Sequence, residues 1–454
     1  VSETLILGAG LAGLSCAYHL GHEQCRLLER AGHAYGHIST EIRDGFTWDE
    51  GPHVSFTKHA YVKELFAESV AGEFEEFPVR AGNYFRGSWI EHPAQSNLYQ
   101  VPEPLRGACV DSFLATRSAT ASAETPRDYA DWLEQAFGPV FAGTFPAAYT
   151  RKYWTCEPSD LTTEWVGNRV FHPAVEDVVE GSRGPLSRQT HYITHVRYPR
   201  RGGYQHFAEK LADGACIEFG ADVVSIDLAG KRLWTSDGRE WSWERLVNTL
   251  PLPVFLAACS GVPAEVVAAG RELSCSSALL VNVAAPHPTA RDESWIYVYD
   301  EDKYSTRINC TEMLASGNAP AGQSGIQVEA YASRHKPFDA PPEVIARRVV
   351  DELIEMGLVT CPAEDVHWHT KLISWANVIF THRTASSLDV IWRWLEGFGL
   401  QRETDDLHPL SDWTERPSPQ PGALAMAGRF GQWKYFWTDD CVMRGRQFSP
   451  NTVS

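Results

Sequence analysis

Thr4-Leu5-Ile6-Leu7-Gly8-Ala9-Gly10-Leu11-Ala12-Gly13-Leu14 decides the fold, together with Ala17, Tyr18 and Leu20 and then Cys25-Arg26-Leu27-Leu28-Glu29. The apolar run before Gly8 predicts a short buried strand. Leu14, Ala17, Tyr18 and Leu20 recur at helical spacing. A second apolar run, from Cys25 to Leu28, ends in an acid. Strand, glycine turn, helix, strand, acid is a sequence of physical jobs. Gly8 permits the tight turn, Gly10 lets backbone approach a pyrophosphate, and Gly13 lets the helix pack closely on the sheet. The helix N-terminus, at Leu11 and Ala12, offers unpaired N–H groups and partial positive charge to phosphates. Glu29 follows Gly8 by about 20 residues, where a carboxylate accepts ribose hydroxyls. A GxGxxG alone fits many tight turns. With its strand, helix and acid it predicts dinucleotide binding.

Outward from this unit, the chain runs to 454 residues, about three domains at roughly 150 residues each. Hydrophobic residues make up 43% and charged residues 22%, which excludes a disordered, collagen-like or membrane-bundle chain. Lys and Arg number 40 against 58 Asp and Glu, a net charge of −18. Such a chain has no general attraction for nucleic acid or anionic membrane. Any phosphate must be gripped by a few placed arginines. Sixteen Trp and an aromatic content of 11% suit a cleft that grips flat rings or sugars.

None of the ten cysteines forms a CxxC pair. They read as reduced core thiols, and the expected location is the cytoplasm. Cys361 with His367 and His369 is the nearest approach to a metal motif, and too few ligands cluster there to expect a metal. The apolar start lacks the basic leader of a secretory signal, and no apolar run reaches the length of a span. Beginning at Val1 rather than Met, the chain is expected to have a trimmed start.

Glycine and proline punctuation maps the remainder. Residues 100–165 read as mostly helical, with Asp128 to Phe137 near helical spacing. Residues 174–195 are polar and poor in pattern, and read as a long mobile lid loop. A helix is expected around Phe207 to Leu211, a strand over Ala221 to Asp227, a hairpin over Lys231 to Trp241 and a strand over Arg245 to Leu250. Residues 275–335 are strand-rich, residues 342–356 fit an amphipathic helix, and residues 402–424 read as an exposed insertion.

The segment after Glu29 runs through Arg30, Gly36-His37-Ile38 and Asp44-Gly45-Phe46-Thr47-Trp48-Asp49 to Glu50-Gly51-Pro52-His53. This glycine loop and short hairpin resemble the flavoprotein superfamily of amine oxidases, protoporphyrinogen oxidases and UDP-galactopyranose mutases. In those families the Glu-Arg segment and its loop wrap the adenosine half of FAD, so the resemblance implies FAD rather than NAD. Five segments resemble the UDP-galactopyranose mutases in particular. Gly51-Pro52-His53-Val54 is similar to the turn they place against the flavin ring. Tyr149-Thr150-Arg151-Lys152-Tyr153-Trp154 is similar to their Tyr-Thr-x-Lys-x-Trp helix, whose Trp lies in the sugar site. Arg200-Arg201-Gly202-Gly203-Tyr204 resembles their glycine turn after the lid. Tyr304-Ser305-Thr306-Arg307-Ile308 resembles the Thr-Arg-Ile stretch whose Arg holds the substrate diphosphate. Gly428-Arg429-Phe430-Gly431-Gln432-Trp433-Lys434-Tyr435 resembles the late segment that contacts FAD and diphosphate. The matches keep the family's order from residue 5 to residue 445. The chain departs at Trp437, where the family commonly has an acid, and at Trp433, where it has Tyr.

The resemblance implies an α/β fold: a Rossmann-type FAD-binding domain built from discontinuous segments (1–80, 203–265 and 372–454). A mostly helical substrate and lid region (81–202) and a β-sheet substrate region (266–371) are inserted. It implies redox-neutral interconversion of the pyranose and furanose forms of a nucleotide sugar, with N5 of reduced FAD as nucleophile at the anomeric carbon. Arginine forks should meet the leaving diphosphate. Arg307 is the first candidate and a lid arginine the second; Arg169, Arg183 and Arg188 compete for that place, and Arg169 is the one selected. Tyr331 and Tyr435 would donate to the same phosphates, Trp154 would pack on sugar or base, and His53 would lie near N5. Val223 or Val224 would reach the adenine through backbone. Gly428, Arg429, Asp439, Asp440 and Cys441 complete the expected cofactor contacts. The implied partner is a nucleotide-diphosphate sugar, with no nucleic acid and no membrane. A homodimer is left open, as is the reductant, NAD(P)H or another source. Two other readings remain: a flavin oxidase or desaturase, which would bleach with substrate and make peroxide in air, and a flavin-bound binding protein without turnover.

Overall fold

The computed structural model describes residues 4–118, 125–166, 170, 173–188, 190, 193–402 and 422–448. Strand Thr4–Leu7, buried at all four positions, lies at the centre of a five-stranded parallel sheet. Cys25–Glu29 and Arg245–Asn248 flank it, and Ile217–Phe219 and Leu424–Met426 lie outside them. A parallel sheet is covered on both faces, which explains the uninterrupted apolar run at its centre. Helix Leu11–Leu20 packs on this sheet and against the last long helix, Thr438–Arg446. Gly445 makes that approach possible, since a Cβ there would lie 2.1 Å from Ser15 Oγ. The strands come from three separated parts of the chain, 4–29, 217–248 and 424–426, so the Rossmann-type unit is discontinuous, as expected.

A second, seven-stranded sheet runs in the order His367–Ile379, Ser274–Ala285, Ser324–Ala332, Arg307–Cys310, Trp295–Val298, Ala81–Phe85, Ser88–Glu91. All its pairings are antiparallel except Trp295–Val298 with Ala81–Phe85. Helix Pro342–Glu355 covers one face. Its Ile345, Val349 and Leu353 have no exposed surface, and each such side chain contributes about 1.5–3 kcal/mol of burial. The helix also reaches the site. Buried Glu352 accepts hydrogen bonds from the Tyr304 and Ser305 backbone N–H groups at 2.8 and 2.9 Å. That fixes the loop leading into Arg307.

The expected domain edges cut this sheet. The 81–202 region opens with two strands of this sheet, Ala81–Phe85 and Ser88–Glu91, and residue 372 falls inside the His367–Ile379 strand. Helices Leu105–Ser118, Tyr129–Phe137, Pro139–Thr144 and Pro146–Tyr153 form the third layer. The segment read as a lid loop contains helix Val175–Gly181. Val178 is buried, and Gly181 packs on the Ser96 backbone, where a Cβ would come within 2.0 Å of its carbonyl oxygen. Seven residues are too few for a periodic signal to stand out. The expected helix at 207–211 is a 3-10 turn, Tyr204–Ala208, running into a short α-helix, Glu209–Ala212. Most of the 402–424 insertion, and Arg169, lie outside the described residues.

Candidate active site

A cleft of about 810 Å³ runs from the glycine turn of the first sheet to the inner face of the second. Its cofactor half is made largely of backbone. Gly8 has φ 97°, a conformation that a side chain resists. A Cβ on Gly13 would lie 2.0 Å from the Gly8 carbonyl oxygen, so helix and strand meet here only because Gly13 has none. Gly10 is the N-cap of the Leu11–Leu20 helix and makes no side-chain cap. The first helical N–H groups, which no intrahelical acceptor reaches, are therefore presented beside Leu11 and Ala12 at the cleft wall. Glu29 is fixed by two backbone donors, Ala9 N–H at 2.8 Å and Ala31 N–H at 2.9 Å. Gly428, φ 83°, abuts the helix start, where an added Cβ would sit 2.8 Å from the Ala12 Cβ. Open backbone donors, a fixed carboxylate and glycine clearances fit a dinucleotide, and FAD in particular once the flavin-facing wall is included.

Arg30, Gly36, His37, Ile38, Gly51, Pro52, His53, Val223, Arg429 and Cys441 also line the cleft. Val224 does not. It is 52% exposed, and the ladder is irregular between Val223 and Ser225. Asp439 and Asp440 are likewise off the wall. Asp440 Oδ2 accepts the Trp437 N–H at 2.7 Å, and Asp439 Oδ1 accepts the Asp440 N–H at 3.1 Å. Both serve the start of the last helix, and from that helix Thr438 and Cys441 reach the cleft.

His53 Nδ1 lies 2.9 Å from the Gly51 carbonyl oxygen. A carbonyl only accepts, so Nδ1 carries the proton and Nε2 is the acceptor. Burial lowers the imidazole to about 4, outweighing the Gly51 bond; Arg429, Arg307 and His37 push the same way. His53 is thus neutral near pH 7. Arg429 is held by neutral acceptors: the Phe436 carbonyl at 2.7 Å, and the Ala376 carbonyl and Asn377 Oδ1 at 3.2 Å. At the mouth, His37 and Lys371 pair with Glu50 at 2.6 and 2.5 Å. Burial alone would raise Glu50, but these two partners hold it down at about 2.

The other half is made of side chains. Trp154 packs against Tyr435 and Trp165 with ring centroids 5.2 and 4.8 Å apart. Tyr153 stacks on Tyr149 at 5.5 Å and meets Tyr331 edge-on at 4.8 Å. Arg307 lies 5.9 Å over the Tyr153 ring. Trp154, Arg307, Tyr331 and Tyr435 thus share one chamber. Arg307 does not stand alone in it: its Nε and Nη2 both donate to Glu329, the latter at 3.0 Å. Burial works against the guanidinium's charge, but Glu329, helped by Tyr331 and Tyr153, holds its pKa well above the usual value. The Tyr331 hydroxyl also donates to Glu329, at 2.9 Å.

Sequence reasoning missed Glu329, although it lies in the Glu329-Ala330-Tyr331 stretch. It also left Lys152 without a role. Lys152 Nζ donates to the Asp300 and Ser305 carbonyls at 2.6 and 2.8 Å, tying the aromatic helix to the loop before Arg307. Burial lowers this ammonium to about 7. Of the other lid arginines, Arg188 is bound to Asp177 and Glu180, and neither it nor Arg183 lines the cleft.

Residues 11–389 match the family model of flavin containing amine oxidoreductases. The chain belongs to that family. Membership implies FAD as the cofactor of an enzyme in the flavin-dependent oxidoreductase superfamily. Within it, the fold is similar to that of a reduced UDP-galactopyranose mutase structure: TM-score 0.85, 21% identity, 98% of this chain and 94% of that one covered. A putative protoporphyrinogen oxidase from Exiguobacterium sp. 255-15 is also similar, with TM-score 0.71 and 15% identity over 99% and 98% of the two chains. Among curated proteins, the tRNA 5-methylaminomethyl-2-thiouridine biosynthesis bifunctional protein MnmC of Methylibium petroleiphilum is 29% identical over 147 residues. That match takes in 31% of this chain and spans 19% of the relative's length. Among the described residues, no group of three or more His, Cys, Asp and Glu could hold a metal. None of the described helices is long and apolar enough to cross a membrane.

Proposed function

We propose that this family member is a nucleotide-sugar mutase that interconverts pyranose and furanose forms of a sugar carried on a nucleoside diphosphate. The carrying observation is the continuity of one cleft. The backbone cradle that fits FAD opens directly into an aromatic chamber containing Arg307. A ring-contracting enzyme needs this juxtaposition: a flavin beside a sugar, with a cation beside the leaving diphosphate. The likeness of fold to UDP-galactopyranose mutase supports the same reading.

When bound and reduced, FAD supplies the nucleophile for displacement at the anomeric carbon. The protein does the rest. Arg307 stabilises negative charge as it collects on the departing diphosphate. The Trp154, Trp165 and Tyr435 rings exclude water that would otherwise hydrolyse the activated sugar. Arg429, held by neutral acceptors rather than by a carboxylate, would present its guanidinium to the bound cofactor. His53, protonated on Nδ1 alone, would have Nε2 free to accept from a bound cofactor and is neutral near pH 7. Either NAD(P)H or another donor could supply the reducing electrons.

A second reading is favoured by one observation. Because Glu329 neutralises Arg307, the resting chamber carries a paired charge within aromatic walls, which also suits an oxidase or desaturase of the amine oxidase or protoporphyrinogen oxidase type. The test is a panel of nucleotide furanoses incubated with dithionite-reduced protein, followed by chromatography. The mutase reading expects pyranose to appear and no net consumption of reductant. Peroxide formation and substrate-driven bleaching in air, without isomerisation, would replace it with the oxidase reading.

A further inference from the structure

Glu329 belongs to the Ser324–Ala332 strand, every residue of which is buried. Its side chain is 6% exposed, yet it lines the cleft. Arg307 and Glu329 are direct cross-strand partners, so the sheet register itself builds the pair. Nε and Nη2 of Arg307 form a two-pronged contact with the two carboxylate oxygens. The Tyr331 hydroxyl adds a third donor on Oε1. The same oxygen lies behind the turn that carries His53, where a Cβ on Gly51 would come within 3.3 Å of it.

This geometry has a consequence for any anion that enters. A carboxylate so enclosed depends on its three donors to satisfy its oxygens. The Nε/Nη2 edge is one of the two edges a guanidinium can offer a phosphate for a forked contact, and Glu329 already occupies it. Two anions cannot share it without strong repulsion. The Tyr331 proton is committed to the same carboxylate, so Tyr331 is not a free phosphate donor in the resting site.

We propose that Glu329 is an internal counter-anion that competes with the substrate's diphosphate for Arg307. It is a positioning residue. It holds the guanidinium and the Tyr331 hydroxyl in place before the nucleotide sugar arrives, gives up the fork when the diphosphate takes it, and recaptures it as the diphosphate leaves. The affinity for free diphosphate is thereby kept below what an unpaired buried arginine would give, and product escapes. This inference rests on the nucleotide-sugar reading and deepens it.

The test is calorimetric binding of UDP, inorganic pyrophosphate and uridine to the flavin-loaded protein, in wild type, Glu329→Gln and Glu329→Asp. Glu329→Gln keeps the shape and removes the charge. It is expected to bind UDP and pyrophosphate about tenfold more tightly, with KM and kcat falling together. Uridine, which has no phosphate, should bind equally to all three proteins, a pattern that general loosening of the chamber would not produce. Glu329→Asp, whose shorter arm weakens the fork, should lie between the other two. If Glu329→Gln does not fold, the Asp variant decides by the same criterion. UDP binding no tighter in the folded variants than in wild type would overturn the counter-anion while leaving the nucleotide-sugar reading in place. Wild type that binds neither UDP nor pyrophosphate would overturn both.

Discussion

Around Gly8 and Gly13 the cleft is lined by backbone; around Arg307 it is lined by side chains. In the first region recognition depends on what is missing, because an added Cβ at Gly13 would lie 2.0 Å from a carbonyl oxygen. In the second it depends on what is present: an arginine fork, phenols and indoles converging from two sheet strands, a helix and a late turn. A backbone cradle is tolerant of the chemistry of its neighbours and intolerant of bulk. A side-chain chamber is the reverse. Its residues lie on other elements than the first sheet, so substitutions there are expected to leave that sheet folded. The flavin and the substrate specificity should accordingly be separable by mutation.

The largest effect is expected for Gly13→Ala. With no room for a methyl group, the helix must move off the strand, at a cost of about 3 kcal/mol or more. Urea unfolding should show the loss, and the purified protein should be nearly colourless. A yellow Gly13→Ala protein with a wild-type midpoint would break the contrast at its first term.

Arg307→Gln comes next. It leaves buried Glu329 without its cation, which costs about 3–5 kcal/mol, and should lower turnover about 100-fold or more. Flavin content should stay near that of wild type, as judged by absorbance. Flavin loss in step with activity would show that the two regions are not separable. Glu29→Ala is the converse variant. It removes the acceptor that orders the Ala9 and Ala31 N–H groups and should weaken FAD retention about tenfold. KM for the nucleotide sugar, measured at saturating FAD, should not move.

The smallest effect is a pH slope. Folded His53 stays neutral down to about 4, whereas in the unfolded chain it takes up a proton near its ordinary value of about 6.5. The unfolded state therefore binds more protons between those values, and stability falls as pH drops from 6.5 toward 4. His53→Gln should flatten this part of a stability–pH curve measured by urea midpoints. An unchanged slope would place the imidazole in a more solvated setting than the cleft wall.

The same division explains what could be read from the residues alone. The cradle was legible because its parts are close in the chain, and strand, glycine turn, helix and acid occur there together in the order the turn needs. The Thr4–Leu7 strand, the helix after it and Glu29 all stand where expected. So does the Pro342–Glu355 helix, whose apolar period is long enough to be distinctive. Val224 shows one limit: the ladder is irregular between Val223 and Ser225, and a bulge of that kind leaves no mark in the residue pattern. Asp440 shows another limit: an acid in the first turn of a helix can be a cap as readily as a ligand contact. The 174–195 segment hid a helix of seven residues. Glu329 was invisible as a partner because it meets Arg307 across the sheet, 22 residues away. Lys152 finds its acceptors 148 and 153 residues away. Partners at such separations are set by register and packing, which no local spacing records.

The most direct test of the mutase reading asks whether the sugar–diphosphate bond breaks and re-forms in the cleft. A nucleotide sugar carrying ¹⁸O between the anomeric carbon and the β-phosphorus should be incubated with reduced protein and followed by ³¹P NMR. Migration of the label to non-bridging β-phosphate positions is expected with wild type. It should be absent from oxidised protein and strongly slowed in Arg307→Gln. A label that stays in the bridge while the reduced protein demonstrably binds the nucleotide sugar would contradict the account.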